Sequence, residues 1–337
     1  MARSSSSPRL DRRESTSRWA ALRTRSPNRP GASSSHCWRC SPARCEARPR
    51  IGFDEATRGT APGTAAVTQP FPGPDLRARD PLDDFERRQV TLLGVTKRVY
   101  VAGSGPAVIV MAEMPGIYAH VARFARIVRD AGFTVWMPAL FGTEGGPVTV
   151  AGGLGTMLRA CVSREFRAFA ANESSPVTAW LRALAAHAHP VSGGKGVGAI
   201  GMCFTGNFAL SMMLEPAMLA PVLSQPSLPI LQAGGMHIAP DELAAVKARM
   251  EREDLTVLAY RFEGDRFCKA ERFAAYQAAL GPRFVARVLP DASAMPGTPM
   301  SPHSVVTLHL IDRAGEPARA AVDEILAFFG QRLRGEG

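Results

Sequence analysis

A chain of 337 residues, 46% of them hydrophobic, can bury a large core in one or two domains and has the composition of a globular protein. The formal charge of +10 suggests nucleic acid only until it is located. Residues 1–60 hold thirteen Arg, no Lys and five acids, so the remainder is close to neutral and no nucleic-acid partner is expected. No apolar run is long enough to span a bilayer, and six cysteines in this length exclude a dense disulfide scaffold, so a cytoplasmic, reducing setting is expected and no membrane contact.

The first segment, residues 1–80, is rich in Ser, Arg and Pro and has no sustained apolar periodicity, so it is expected to be a disordered tail. Other readings of it are weaker. Scattered acids and prolines spoil a transit-peptide helix, and too little apolar sequence follows Arg12-Arg13 for an export signal. His36 with Cys37, Cys40 and Cys45 does not match the spacing of a compact zinc module.

Residues 81–337 read as one domain. "RQVTLLG" and "KRVYVAG" are two short strands joined by a turn, and "AVIVMA" (107–112) is the continuous apolar run of a strand buried on both faces. "AHVARFARIVRDAG" places Val121, Phe124, Ile127 and Val128 on one helical face, with Gly132 as its stop. "FTVWMPAL" is the next strand. A Gly-rich stretch, 142–155, reads as a loop. Ser175-Pro176 offers an N-cap and first-turn proline for a helix carrying Val177, Trp180, Leu181 and Leu184. "GVGAIGM" is a strand and "FTGNFALSMML" a helix. "LTVLAYRF" and "RFVARVLP" are strands flanking the helix "KAERFAAYQAAL". "EPARAAVDEILAFFG" is a final helix between Pro317 and Gly330. Buried strands alternating with helices predict a mainly parallel sheet covered on both faces.

Within this pattern Cys203 stands between a buried strand and a helix, where a sharp turn would expose its side chain above the sheet. Gly201 and Gly206 supply the small neighbours such a turn needs, and a helix start would favour the thiolate. A thiolate attacks acyl carbons. Asp265 follows the strand "LTVLAYRF", and His303 lies in the loop before the last helix, the chain order nucleophile, acid, histidine. Asp265 could also serve as a helix N-cap, and His309 competes with His303. His187 and His189 suit a helix end, and Cys161 and Cys268 read as packing thiols. Glu113, at the mouth of an apolar strand, needs a partner.

The segment Gly201-Met202-Cys203-Phe204-Thr205-Gly206 resembles the G-x-C-x-G-G elbow of the dienelactone hydrolase family, cysteine-dependent α/β-hydrolases, with Thr205 in place of a glycine. Glu113 and Gly116 resemble the family's E-x-x-G pattern. The resemblance spans roughly residues 88–330. It implies an α/β-hydrolase fold and a Cys203–His303–Asp265 triad. It further implies that Glu113 pairs with the resting thiol and helps deprotonate it, and that the N–H groups of Met114 and Phe204 form an oxyanion hole. It implies hydrolysis of a small-molecule ester or lactone through an acyl-enzyme. Family members acting on dienelactones carry an arginine shortly after the histidine. Here His303-Ser304-Val305-Val306-Thr307 has none, and Arg159 or Arg164 is the remaining candidate. No dinucleotide fingerprint or ligand cluster calls for a cofactor or metal. The alternative is a non-catalytic binding protein of the same fold, with Cys203 a packing or redox residue.

Overall fold

A computed structural model describes residues 73–334. The readings of residues 1–72, among them the zinc and targeting alternatives, lie outside the described residues. Residues 73–80, placed in the tail by composition, are described. The Leu76 carbonyl accepts from Val148 N–H at 2.8 Å, Asp80 N–H donates to Gly145 at 3.0 Å, and the Asp80 carboxylate takes a two-pronged bond from Arg126.

The sheet begins with a hairpin, β1 (Glu86–Leu92) and β2 (Val95–Ala102), whose turn uses Leu93 and Gly94 at positive φ. β3 (Ala107–Met111) follows, buried at every position as its unbroken apolar run requires. The two-residue β4 (Gly116–Ile117) leads into α1 (Ala119–Asp130), which buries Val121, Ala122, Phe124, Ala125 and Val128. Ile127 is only partly covered, and Gly132 at φ +81 ends the turn. β5 (Thr134–Pro138) is again fully buried, and β6 (Thr143–Glu144) pairs with β4.

The Gly-rich stretch is not all loop. α2 (Val150–Val162) runs through Gly152, Gly153 and Gly155. Each glycine costs a helix roughly 1 kcal/mol relative to Ala, which conceals the element from pattern reading. Thr149 starts it, its hydroxyl accepting from Gly152 N–H at 3.1 Å. α3 (Val177–Ser192) begins as expected, but Ser175 does not cap it; its hydroxyl meets the Phe166 carbonyl and, at 2.7 Å, His237 Nε2.

β7 (Val197–Met202) leads to Cys203. The helix expected after it is broken into a 3-10 turn at Cys203–Thr205, the four-residue α4 (Phe208–Ser211) and a second 3-10 turn at Met212–Leu214. So short a helix does not carry the dipole argument for a thiolate. β8 (Met218–Ser224) and α5 (Pro240–Arg252) were not anticipated. Pro221 disguises β8, and it fits because β8 pairs with β7 through Pro221 but meets β9 (Val257–Phe262) only from Val222 onward. α6 (Ala270–Leu280), β10 (Phe284–Leu289) and α7 (Pro317–Leu333) complete the fold, and α7 continues past Gly330.

The main sheet has the order β1-β2-β5-β3-β7-β8-β9-β10, antiparallel only where β2 meets β1 and β5. Apolar clusters lie on both faces, one centred on Trp180, Leu184 and Phe208, the other on Phe124, Phe329 and Ile325. The loops after β3, β7, β8 and β9 leave neighbouring parallel strands at the same end, which gathers residues distant in sequence at one rim.

Candidate active site

Cys203 sits at φ +52, a left-handed conformation that a non-glycine residue rarely adopts. The flanking glycines make room for it by space, since neither has positive φ. A Cβ on Gly201 would stand 2.1 Å from the Thr205 carbonyl oxygen, and one on Gly206 2.4 Å from Pro226 Cα. Thr205, the departure from the family pattern, is itself outside the left-handed region. Its buried hydroxyl accepts from Met202 N–H at 3.0 Å and lies 3.0 Å from the Met111 carbonyl and 3.2 Å from that of Ala112. The side chain therefore ties the end of β7 to the end of β3 beneath the turn. The Cys203 carbonyl accepts from Gly206 and Ser227 N–H, both at 2.9 Å, and its side chain is half-buried.

Asp265 follows β9 in a tight loop. One carboxylate oxygen accepts from the N–H groups of Phe267 and Cys268 at 2.8 and 2.9 Å, and the other meets His303 Nδ1 at 2.7 Å. Asp265 is not the cap of α6, whose N-cap is Lys269. His303 is buried, and its Nε2 has no hydrogen-bond partner. Burial pushes the imidazole pKa down, but the nearby Cys203 sulfur and the Asp265 carboxylate more than offset it, so the net displacement is well upward. His309, the competing histidine, is taken up in structure: Nδ1 accepts from Ser304 N–H at 3.1 Å and Nε2 meets Thr298 Oγ1 at 3.0 Å.

Glu113, just past β3, is 2% exposed and accepts four hydrogen bonds. Oε1 receives the hydroxyls of Tyr118, at 2.5 Å, and Thr307; Oε2 receives Gln225 Nε2 at 3.1 Å and the Ser304 hydroxyl at 2.8 Å. The bonds of this carboxylate thus run to the loop of His303 and to β8's end rather than to the thiol. Burial and the Glu113 charge hold the Tyr118 phenol well above its ordinary pKa, which keeps it a donor. Gln225, at φ +36, connects Glu113 to Val305 N–H. Tyr118, Gln225, Ser304 and Thr307 were all missed in the sequence. Ser304 and Thr307 were within sight, one and four residues after His303, whereas nothing local marks Gln225.

Met114, Phe204, Cys203, Glu113 and His303 line one cavity of about 690 Å³. The N–H groups of Met114 and Phe204 make no bond within the surrounding turns, as expected for Phe204 in the first turn of a 3-10 helix. Neither Arg159 nor Arg164 lines the cavity. Among the described residues no group of three His, Cys, Asp or Glu side chains could hold a metal ion, and no helix is long and apolar enough to cross a membrane.

This strand order, with a left-handed turn above the sheet carrying the candidate nucleophile and an acid and histidine supplied by later loops, is that of the α/β-hydrolase fold. By comparison with known families, residues 93–231, from the β1–β2 turn past Cys203, match the dienelactone hydrolase family. Among solved structures, a Klebsiella pneumoniae protein provisionally described as a dienelactone hydrolase shares the fold, with a TM-score of 0.51 and 16% identity over 73% of this chain and 98% of that one. A dienelactone hydrolase from Anabaena variabilis aligns over 74% of this chain and all of its own at 14% identity, with a TM-score of 0.46. A cold-adapted esterase from an Arctic intertidal metagenomic library aligns over 74% and 94% at 12% identity, with a TM-score of 0.49. No curated protein matches the chain.

Proposed function

We propose that the protein hydrolyses a carboxylic ester or lactone through an acyl-enzyme on Cys203, with His303 as acid and base and Asp265 as its orienter. The observation that carries this reading is a buried His303–Asp265 pair in the same cavity as, and close to, a cysteine held in a left-handed turn. The Cys203 sulfur attacks the acyl carbon, and any proton it carries passes to His303 Nε2. The Met114 and Phe204 N–H groups receive the negative charge that develops on the carbonyl oxygen. The carbon–oxygen bond to the leaving group then breaks, and His303 returns the proton to the departing oxygen. Water attacks the thioester, giving its proton to His303, and the acid leaves as the thiol re-forms. Glu113 acts through others, as a positioning residue that fixes Ser304 and Thr307 in the stretch that follows His303. A free thiol nucleophile suits a reducing compartment such as the cytoplasm.

Hydrolysis of p-nitrophenyl butyrate by wild type and Cys203→Ala tests this. The variant is expected to lose about 10³-fold or more in kcat/KM, and wild type quenched during turnover should carry one butyryl group on the peptide containing Cys203. Equal rates in the two proteins, with iodoacetamide labelling Cys203 no faster than Cys161, would favour the non-catalytic binding protein instead.

A further inference from the structure

The segment ahead of β1 reaches the candidate site. A turn over residues 75–78 is closed by Ala78 N–H on the Asp75 carbonyl at 3.4 Å and by Arg77 N–H on the Asp75 carboxylate at 2.9 Å. Leu76 stands in this turn, half-buried and lining the cavity, while Asp75 and Arg77 on either side are exposed. Two loops hold the segment. Ahead of the turn, a Cβ on Gly73 would lie 3.5 Å from Gly297 Cα and from the Pro296 carbonyl oxygen. At the turn, the Leu76 carbonyl accepts from Val148 N–H at 2.8 Å, and beyond it Asp80 N–H donates to the Gly145 carbonyl at 3.0 Å. The grip of Arg126 on the Asp80 carboxylate fixes the far end to α1. Residues 73–80 therefore form a strap that joins the loop carrying Met300 and His303 to the loop carrying Val148, and all three of those residues line the cavity.

The strap and its two neighbours in the lining, Val148 and Met300, are apolar. The cations of the lining, Arg266, Lys269 and Arg272, come from elsewhere, the loop and helix after β9. The whole cavity, about 690 Å³, is in the range of a drug-sized ligand, and a bare lactone ring fills only a small part of it.

We propose that Leu76 is a specificity-determining residue: through it the strap walls a subsite for an extended apolar group on the substrate, so that esters or lactones bearing such a group are preferred to their short counterparts. This rests on the hydrolase reading above. Two matched pairs test it. p-Nitrophenyl hexanoate against the acetate places the chain on the acyl side, and γ-nonalactone against γ-butyrolactone places it on the alcohol side. In at least one pair kcat/KM should be about tenfold or more higher for the longer substrate, and Leu76→Ala should shrink that ratio by about threefold or more. Each ratio is taken within one protein, so a smaller folded fraction cancels. Arg77→Ala, the next residue of the strap but exposed and outside the lining, should leave the ratio as it is. No preference in either pair, a ratio unmoved by Leu76→Ala, or one that Arg77→Ala shrinks as much, overturns the proposal. If wild type turns over none of the four substrates, the hydrolase reading fails, and calorimetric titration of γ-nonalactone decides the subsite separately. Binding weaker in Leu76→Ala than in wild type by about threefold or more upholds it, and equal or absent binding overturns it.

Discussion

Cys203 holds a backbone conformation that costs roughly 1 kcal/mol or more for a residue with a Cβ, and the surroundings must hold it there. Thr205 is one of the restraints, because its single hydroxyl serves the Met202 N–H and faces two carbonyls at the end of β3. Thr205→Val keeps the shape and removes the hydroxyl, leaving those groups buried and unpaired. Urea unfolding should show a loss of about 1–3 kcal/mol, with kcat falling more than KM as the turn loosens. Asp265→Asn keeps the fold but weakens the hold on the imidazole, and kcat should fall by about 10²–10⁴ with little change in KM. His237 responds to acid. Burial keeps its imidazole pKa down at about 4, from an ordinary 6.5, between Ser175 and the Ala170 carbonyl. Below pH 6.5 the unfolded chain takes up a proton that the folded one refuses until about pH 4. The stability this neutral histidine provides is therefore complete above pH 6.5 and lost as pH falls toward 4, at about 1.4 kcal/mol per pH unit. His237→Gln should flatten that slope in urea melts taken at pH 4, 5, 6 and 7.

Among the elements, α2 has the weakest local propensity, with three glycines in thirteen residues. Gly155 has only an Arg159 nitrogen at 3.8 Å from where a Cβ would go, and its φ is not positive. Gly155→Ala should therefore stabilise the helix by about 0.5–1 kcal/mol, read as slower amide exchange across Val150–Val162. The same glycines explain why the sequence showed a loop here. The central strands β3, β5, β7 and β9 were legible because burial on both faces leaves unbroken apolar runs, and α1 because its buried face repeats every three to four residues. β8 was hidden by Pro221, whose missing N–H matters only when the partner strand's starting point is known. The candidate site divides along the same line. Cys203, Asp265, His303 and Glu113 each stand at a strand end or loop that local pattern marks. Tyr118, Gln225 and Thr307 matter because they meet at Glu113, and that meeting is set by loops up to 194 residues apart.

Across the molecule, the segment ahead of β1 belongs to the working surface. Leu76 lines the cavity, and the segment is anchored by Arg126 and Arg129 of α1, which grip Asp80 and Asp84. Arg126→Ala removes the two-pronged bond to a largely buried Asp80. Stability should fall by about 1–2 kcal/mol, and the Asp80 amide should exchange faster while the core strands stay protected. Another stretch of the lining is built differently. One guanidinium, that of Arg272, is shared among four carbonyls of the stretch 228–235, so this backbone is held by a single buried side chain. A guest entering meets a contour that exists before it arrives and forfeits little disorder on docking. Discrimination between guests then reflects how well each fits, and reshaping the repertoire means recarving side chains along that contour rather than retuning a hinge.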